Sequence, residues 1–500
     1  MTGYSGRVSV LLYVLAGALV VRALAMGVLP VFDPSEGRYA QVAQEMAITG
    51  DWITPRIWVN GQHLPFLGKP PLFFWTAAGA MKLLGENGFA ARLPSLLATV
   101  ALLGLLYRVM ERYGGTGVGL LSVMVTLSCG VFFAICGTVI VDMVLSACVA
   151  GSLLAYYAFT CEPSRQARGR WSLLVFALLA LGFLTKGPVA LVLFGLPVLV
   201  WTIRWRQWES LREHRWTAGI LLFLVLTTPW FVLCELHNPG FLKYFFVNEN
   251  LLRYTTHDYG DIYGSGHLYP RGAAVVLMLA AAAPWSFVAL WRLRRGPLLR
   301  RVLTLADKQS SFLFLGFFAG TLFWCLARQM LITYTLPMVP LFGAWFALTL
   351  QAEPALQRRV LTTAAILLLG LSGILLAATP FAQDSQRSTR QIVRTAQRYA
   401  AEKALKGPLL FVGKTPYSAL FYARGWTLPL PRKEKLAKSL ERCRASEGPV
   451  LVAVPKGREA DLEALAPGSA NVVASAGAWK LARVELPAAS APPSPGPARE

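Results

Sequence analysis

FDPSEGRYAQVAQEMAITGDW, residues Phe32–Trp52, and GKPPLFFW, residues Gly68–Trp75, form a polar, charge-bearing stretch set between long apolar blocks. Hydrocarbon offers backbone and charge no partners, so such a stretch must lie in the headgroup region or line an aqueous cavity. It puts Asp33, Glu36, Arg38 and Lys69 on one membrane face. Partly desolvating four charges costs free energy that a plain connecting loop would avoid, and chemistry at that face is the return it suggests.

Outward from this stretch the chain is apolar. Of 500 residues, 55% are hydrophobic and 15% charged, and the mean hydropathy is +0.49, which excludes an ordinary soluble domain and indicates a polytopic α-helical membrane protein. Apolar blocks lie at roughly 8–29, 88–110, 115–136, 138–159, 171–185, 187–204, 216–235, 272–294, 311–327, 333–351 and 358–379. At about 20 residues per crossing they predict about eleven to thirteen spans. Residues 8–29 lack a small-residue cleavage site and read as a retained span.

The formal charge of +22 sits in alternate loops. Arg108 and Arg112; Arg165, Arg168 and Arg170; Arg204, Arg206, Arg212 and Arg215; Arg292, Arg294, Arg295, Arg300 and Arg301; and Arg358 with Arg359 form the clusters. Membrane topology explains this better than nucleic acid does, and the positive-inside rule makes these loops cytoplasmic. The N-terminus is then inside, the C-terminus outside, and every notable polar residue falls on the outer face. The parity requires residues 71–86 to be an interfacial or re-entrant helix instead of a crossing.

Residues 1–380 are thus expected to form the membrane domain, 381–486 a small exported α/β domain, and 487–500 a disordered Pro/Ala/Ser-rich tail. In the exported part, Gln383–Leu405 reads as an amphipathic helix, Pro408–Val412, Pro449–Val454 and Ala478–Val484 as strands, and Lys433–Cys443 as a helix. Six of the seven cysteines lie in or beside spans and only Cys443 in the exported part. With no C-x-x-C pair, neither a disulfide within that domain nor a metal centre is indicated.

Several residues carry candidate chemistry. Ser35 can cap a helix with Glu36 in its first turn and Tyr39, Val42, Ala43 and Met46 on its apolar face. Lys69 precedes Pro70 and Pro71, which fix φ and remove two donors, giving a stiff platform for a cation that meets phosphate. Asp142, at the outer end of a span, is a costly membrane acid. Lys186 marks the turn LTKGPVA. In the loop NPGFLKYFFVNENLLRYTTHDYG, Glu249, Arg253 and His257 recur at helical spacing, and an aromatic belt accounts for the Phe and Tyr residues. Tyr334, with Thr333 and Pro337, opens a span on the same face. G-x-x-x-x-G-K-[ST], H-E-x-x-H and Asp-x-Asp motifs are absent from the sequence, so ATP hydrolysis, zinc hydrolysis and a metal-held nucleotide-sugar site are not indicated.

EGRYAQVAQEM with GDW, GKPPLFFW, ARLPS at Ala91–Ser95, VDM at Asp142, LTKGPVA, NENLLRY and LITYTLPMVP from Leu331, in that order over about residues 8–350, together resemble the polyprenyl-phosphate-sugar glycosyltransferases of the GT-C class. The resemblance is to the bacterial family containing the lipid A aminoarabinose transferase, related to protein O-mannosyltransferases. It implies that Arg38, Lys69, Lys186 and Arg253 hold the lipid phosphate with Tyr334 lining the pocket and that acids of the first loop act on the acceptor; Asp33, Glu36 and Asp142 are the candidate catalytic acids, and Tyr39 and Glu249 further pocket residues. The family places Asp-Glu directly before x-Arg-Tyr, whereas Ser35 stands in that slot here and Asp33 is displaced, so either Asp33 or Glu36 is the base. Asp33, on a stiff segment between Phe32 and Pro34, is the better placed of the two. Gly68 and Asn250 replace the acid and the histidine seen in relatives, so no metal or other cofactor is expected, although a divalent ion fits the class.

The function implied is transfer of a sugar from a polyprenyl (undecaprenyl) phosphate carrier to an acceptor at the outer face of the bacterial inner membrane. Lipid A or another surface glycolipid is the first expectation and protein hydroxyls the alternative. The expected partners are that donor, the acceptor and membrane lipids, not nucleic acid. A lipid or sugar transporter is the rival from another class, and it calls for inverted repeats that the sequence does not display.

Overall fold

The computed structural model describes residues 2–59, 62–256, 267–294, 296–424, 426–430, 449–465 and 470–485. His257, the helix expected at Lys433–Cys443 and the tail from Pro487 lie outside the described residues. Two compact units are present. One comprises the chain up to Val28, Ala43–Arg56 and Pro65–Ala377; the other comprises Leu29–Val42, Ile57–Leu64 and the chain from Ala378. The second unit therefore takes in two segments of the first loop that a purely sequential division assigns to residues 1–380.

The first unit is helical and polytopic. Among the described residues seven helices are long and apolar enough to cross a membrane, or eight if one bent pair counts as a span. This is fewer than the apolar blocks suggest, because several blocks break. Block 115–136 divides at Ser128–Cys129 into Val118–Leu127 and Gly130–Ile135. Block 272–294 divides into Ala273–Ala281 and Trp285–Leu293, bent by 113° where Pro284 can neither donate its nitrogen nor fit its ring into a continuous helix. The segment after the two prolines forms the 13-residue helix Leu72–Leu84, about 20 Å long and too short to cross.

Helix Val141–Cys161 is the most enclosed of the seven. Small residues let its neighbours approach closely, as helix packing in a membrane requires. A Cβ on Gly151 would lie 3.2 Å from Leu178 of helix Arg165–Lys186 and 3.5 Å from Leu105 of helix Gly88–Tyr113. This buried helix carries Asp142 in its first turn, where the helix dipole favours an acid.

Ion pairs join the basic loops to one another. Arg112 pairs with Glu162 at 2.8 Å, Arg168 with Glu213, and Arg292 with Glu353 at 2.7 Å. The loops grouped by charge in the sequence are thus grouped in space. The ARLPS motif also has a structural use: buried Arg92 donates to the Met26 carbonyl at 2.7 Å, near the end of helix Thr2–Val28, where a cation suits the dipole.

The second unit contains a five-stranded sheet in the order β6-β5-β7-β9-β8. Its strands are β5 (Leu409–Val412), β6 (Thr427–Leu430), β7 (Val450–Pro455), β8 (Ala470–Ala476) and β9 (Trp479–Val484); β1 (Arg56–Val59), β2 (Gln62–Pro65), β3 (His267–Leu268) and β4 (Gln329–Met330) are short strands outside this sheet. β6, β5 and β7 run parallel, and β9 pairs antiparallel with both β7 and β8. The three strands expected from apolar runs are β5, β7 and β9. One face packs Leu409, Phe411, Leu451, Ala453 and Leu481 beneath Ile392, Val393 and Ala396 of helix Arg390–Glu402. The other gathers Leu410, Val412, Val452, Val454 and Ala482 with Leu462. Cover on both faces explains why the parallel strands read as unbroken apolar runs instead of alternating ones.

Arg92→Met keeps length but removes a charge-assisted hydrogen bond to a buried carbonyl. The expected cost is about 1.5–3 kcal/mol, measured as a lowered midpoint of thermal unfolding in detergent. An unchanged midpoint would show that the Arg92–Met26 bond contributes nothing net.

Candidate active site

In the first unit a cavity of about 360 Å³ opens among Lys69, Lys186, Glu249, Arg253 and Tyr334, with Val189, Phe245, Phe246, Tyr254, Phe323 and Trp324 among its walls. Pro71 immediately precedes helix Leu72–Leu84 and holds helical angles, so Lys69 is fixed just ahead of a helix start. Its ammonium donates to the Gly68 carbonyl at 2.6 Å and to Glu249 Oε1. The same Oε1 accepts from Arg253 Nη1 at 2.6 Å. Glu249 therefore bridges Arg253 of its own loop and Lys69, 180 residues earlier in the chain.

The loop carrying Glu249 is wound as a π-helix, Tyr244–Leu252, an uncommon form that often marks functional sites. Phe245 within it and Phe241 just before it are each only 1% exposed and pack with Trp230 and Phe231, so these two are core and not an interfacial belt, while Phe246 is 36% exposed. Asn250 donates to the Phe245 carbonyl at 2.8 Å, so its amide serves the loop's own backbone.

Lys186 ends helix Arg165–Lys186 and meets Asp142 at 2.5 Å. Thr333 donates to the other Asp142 oxygen at 2.7 Å, and the Lys186 ammonium sits 3.5 Å from the centre of the Tyr334 ring, a close cation–π arrangement. The turn depends on Gly187. Its φ is +76°, and a Cβ there would lie 2.6 Å from the Phe245 ring, so both conformation and space demand glycine.

Asp33, Glu36, Arg38 and Tyr39 of the first loop lie within the second unit. Helix Ser35–Thr49 begins at Ser35, which is its first residue and not its cap. The Glu36 carboxylate reaches back to accept from the Phe32 N–H at 2.9 Å, as in a capping box. Tyr39, Val42, Ala43 and Met46 are buried as expected, but so are Glu36, Gln41, Gln44 and Glu45. Asp33 Oδ1 accepts from the Ser418 N–H at 2.8 Å, and Oδ2 from the Ser418 hydroxyl. Ser418 in turn meets Thr389 at 2.8 Å, and the Val31 N–H donates to the Tyr422 hydroxyl at 2.6 Å. Gly37 makes this approach possible, since a Cβ there would lie 2.8 Å from both Asp33 Oδ1 and the Ser418 nitrogen. Arg38 lies over the rings of Tyr39 and Tyr417, at 5.3 and 5.9 Å.

Lys69, Asp142, Lys186, Glu249, Arg253 and Tyr334 are thus gathered in one unit, and Asp33, Glu36, Arg38 and Tyr39 in the other. Known proteins resemble this arrangement closely in fold. The structure superposes on ArnT from Cupriavidus metallidurans bound to undecaprenyl phosphate with a TM-score of 0.75, covering 96% of this chain and 98% of that one at 21% identity. The chain shares its fold with ArnT. The archaeal oligosaccharyltransferase of Archaeoglobus fulgidus follows at a TM-score of 0.52, 10% identity and coverage of 88% and 69%. The family described as dolichyl-phosphate-mannose-protein mannosyltransferase matches residues 68–232. Undecaprenyl phosphate-alpha-4-amino-4-deoxy-L-arabinose arabinosyl transferases are relatives in sequence: that of Shewanella sediminis is 26% identical over 65% of this chain and 56% of its own length, and that of Pseudomonas paraeruginosa 29% identical over 70% and 61%. The chain therefore spans little more than half the length of these relatives. The resemblance read from the motifs is borne out.

Sequence reasoning did not find Ser418 or Tyr422 as partners of the first loop, and gave Thr333 no role. Thr333 adjoins Tyr334 in the sequence, which is a signal for it, whereas Ser418 lies 385 residues from Asp33 and carries none.

Burial raises the Asp33 carboxyl from the ordinary 3.8 to about 6, outweighing the hydrogen bonds from Ser418 that pull it down. The folded state then binds the proton more tightly than the unfolded chain between about pH 4 and 6. Stability falls as pH rises through that window, and the cost of ionised Asp33 is fully present above it. Asp33→Asn cannot ionise and can still pair with Ser418. Its thermal midpoint should exceed the wild type's at pH 7.5, with the gap closing by pH 4; a gap that widens on acidification would contradict the raised value.

Proposed function

We propose that this chain is an inner-membrane glycosyltransferase that moves a sugar from a polyprenyl-phosphate carrier to an acceptor at the outer face, with lipid A or another surface glycolipid as the acceptor. One observation carries the proposal: Lys69, Lys186 and Arg253 converge on an apolar-walled cavity, the combination suited to a phosphate at the end of a prenyl chain. The likeness to ArnT with undecaprenyl phosphate, and to the arabinosyl transferases, supports it. The outward orientation rests on the alternation of basic loops.

The chemistry is a single displacement. The acceptor oxygen attacks the anomeric carbon from the side opposite the phosphate, the sugar–phosphate C–O bond breaks, and the phosphate keeps the electron pair. Charge grows on that phosphate in an oxocarbenium-like transition state, and cations already fixed by Glu249 and Asp142 stabilise it without reorganising. Inversion at the anomeric carbon follows. From the motif, Arg38 is a further phosphate ligand and Tyr39 part of the pocket. An acceptor phosphate arrives ionised and needs little base, whereas a hydroxyl requires proton removal; Asp33, raised to about 6, is the acid suited to accept that proton, with Glu36 orienting the loop. Transfer to protein hydroxyls is the second reading, favoured by the mannosyltransferase family match.

With a radiolabelled polyprenyl-phosphate sugar and whole membranes as acceptor, label should enter the lipid A fraction. Lys69→Met and Arg253→Met should each lower turnover by roughly 10²-fold or more while leaving folding intact. Label in protein alone would select the second reading, and near-wild-type turnover in both variants would remove these cations from the phosphate site.

No metal is assigned to the reaction. Gly68 has no side chain to offer, and Asn250 is neutral and engaged with Phe245, so neither position supplies a charged or imidazole ligand. Turnover should persist in excess EDTA; loss on chelation, restored by one divalent ion, would place a metal on other residues.

A further inference from the structure

In the second unit β5 lies between β6 and β7, all three parallel, and the chain visits β6 before it crosses to β7. Such a reversal of direction opens a crevice outside the carboxyl ends of the two strands it separates, which is where open α/β sheets bind ligands. Here the crevice falls between the loops that follow β5 and β7.

Those loops carry cations. Lys414 and Lys456 lie three residues beyond Phe411 and Ala453, which pair across the two strands, so the register brings them to the same edge. Neighbouring strands run about 4.8 Å apart, and like charges so placed repel. Both lysines are exposed, and neither ammonium has an acid partner among the described residues. The acids that follow β7 are already engaged, Glu459 by Lys480 and Asp461 by Arg458, each at 2.6 Å.

Two observations set this edge apart from a merely solvated surface. Thr415, beside Lys414, is 7% exposed, and its hydroxyl is buried without a hydrogen-bond partner among the described residues, a cost that buried polar groups rarely bear. Lys414 Nζ also lies 5.3 Å from the centre of the Tyr417 ring, over which Arg38 lies at 5.9 Å. Tyr417 thus links Lys414 to the arginine that the motif gives to the donor phosphate. The acids nearby have other partners: Asp33 accepts twice from Ser418, and Glu36 from the Phe32 N–H.

We infer that Lys414 and Lys456 hold a phosphate group of an anionic glycolipid acceptor, with Thr415 as a neutral donor beside them, so that the second unit binds the acceptor. This rests on the glycolipid reading above. A phosphate monoester carries close to two negative charges at neutral pH; it accepts from two ammonium groups at once and relieves the repulsion between them. The lysines change no bond and act by positioning, which leaves Arg38 and the cavity cations to the donor.

The test measures binding of three probes to the full-length protein in detergent at pH 7.5: lipid A with its phosphates, the same lipid after phosphatase treatment, and inorganic phosphate. Wild-type protein should prefer the phosphorylated lipid by roughly tenfold, the worth of two exposed charge pairs, and should bind inorganic phosphate far more weakly than that lipid. Replacing both lysines, Lys414→Gln with Lys456→Gln, should erase most of the preference, while Lys414→Arg with Lys456→Arg should keep it. Polyprenyl monophosphate should bind wild type and both variants alike. Exposed side chains are replaced with little loss of stability, so the variants should fold. A wild type without the preference, a glutamine variant that retains it, inorganic phosphate bound as tightly as the phosphorylated lipid, or a parallel loss of polyprenyl monophosphate binding would each overturn the inference. If any of these occurs in a protein that labels lipid A in the transfer assay, the inference falls alone. Label confined to protein would instead remove the glycolipid reading, and the inference with it.

Discussion

A charge brought to the edge of hydrocarbon must find an opposite charge inside the protein, because water is too scarce to solvate it. The first unit answers this requirement with pairs, most of them drawn from distant parts of the chain: Lys69 on Glu249, which also holds its loop neighbour Arg253, and Lys186 on Asp142 with Thr333 completing the acid. Each pair costs desolvation and is weak evidence for stability by itself. What the pairs supply is placement. They pin the start of helix Leu72–Leu84, the end of helix Arg165–Lys186, the start of helix Val141–Cys161 and the π-helical loop around one cavity.

Placement at this level needs a rigid setting. Asp142 rides on the most enclosed helix, held by small-residue contacts such as Gly151. Gly187 allows the turn after Lys186 and leaves room for Phe245, whose own burial anchors the loop bearing Glu249 and Arg253. A phosphate group entering such a site meets donors that need not move far, which is the condition under which electrostatic stabilisation is most effective.

The second unit uses the same physics on a smaller scale. Asp33 is desolvated and would be costly as a free carboxylate, yet two donors from Ser418 hold it, and Gly37 keeps the path clear. The segment Leu29–Val42 is thereby built into the unit that carries the sheet. A residue whose sequence context suggests proton transfer is also a packing contact, and its raised pKa of about 6 follows from that packing.

The sequence by itself determined what depends on composition and local period. Polytopic helical character, the charge-sorted loops, strands β5, β7 and β9, and the identity of the cavity residues Lys69, Lys186, Glu249, Arg253 and Tyr334 were all legible, because hydrophobic length, loop charge and costly membrane ions are one-dimensional signals. Tertiary structure decided the rest. Apolar blocks such as 115–136 and 272–294 were broken where packing and Pro284 interrupted them, and Phe241 and Phe245 became core where their composition suggested a belt. Nothing local marked Ser418 as the partner of Asp33, or Lys69 as the second partner of Glu249, whose i,i+4 pairing with Arg253 was legible. Those pairings form only when folding closes loops of 385 and 180 residues, and the energy of a desolvated charge is set by what surrounds it in space, not by its neighbours along the chain.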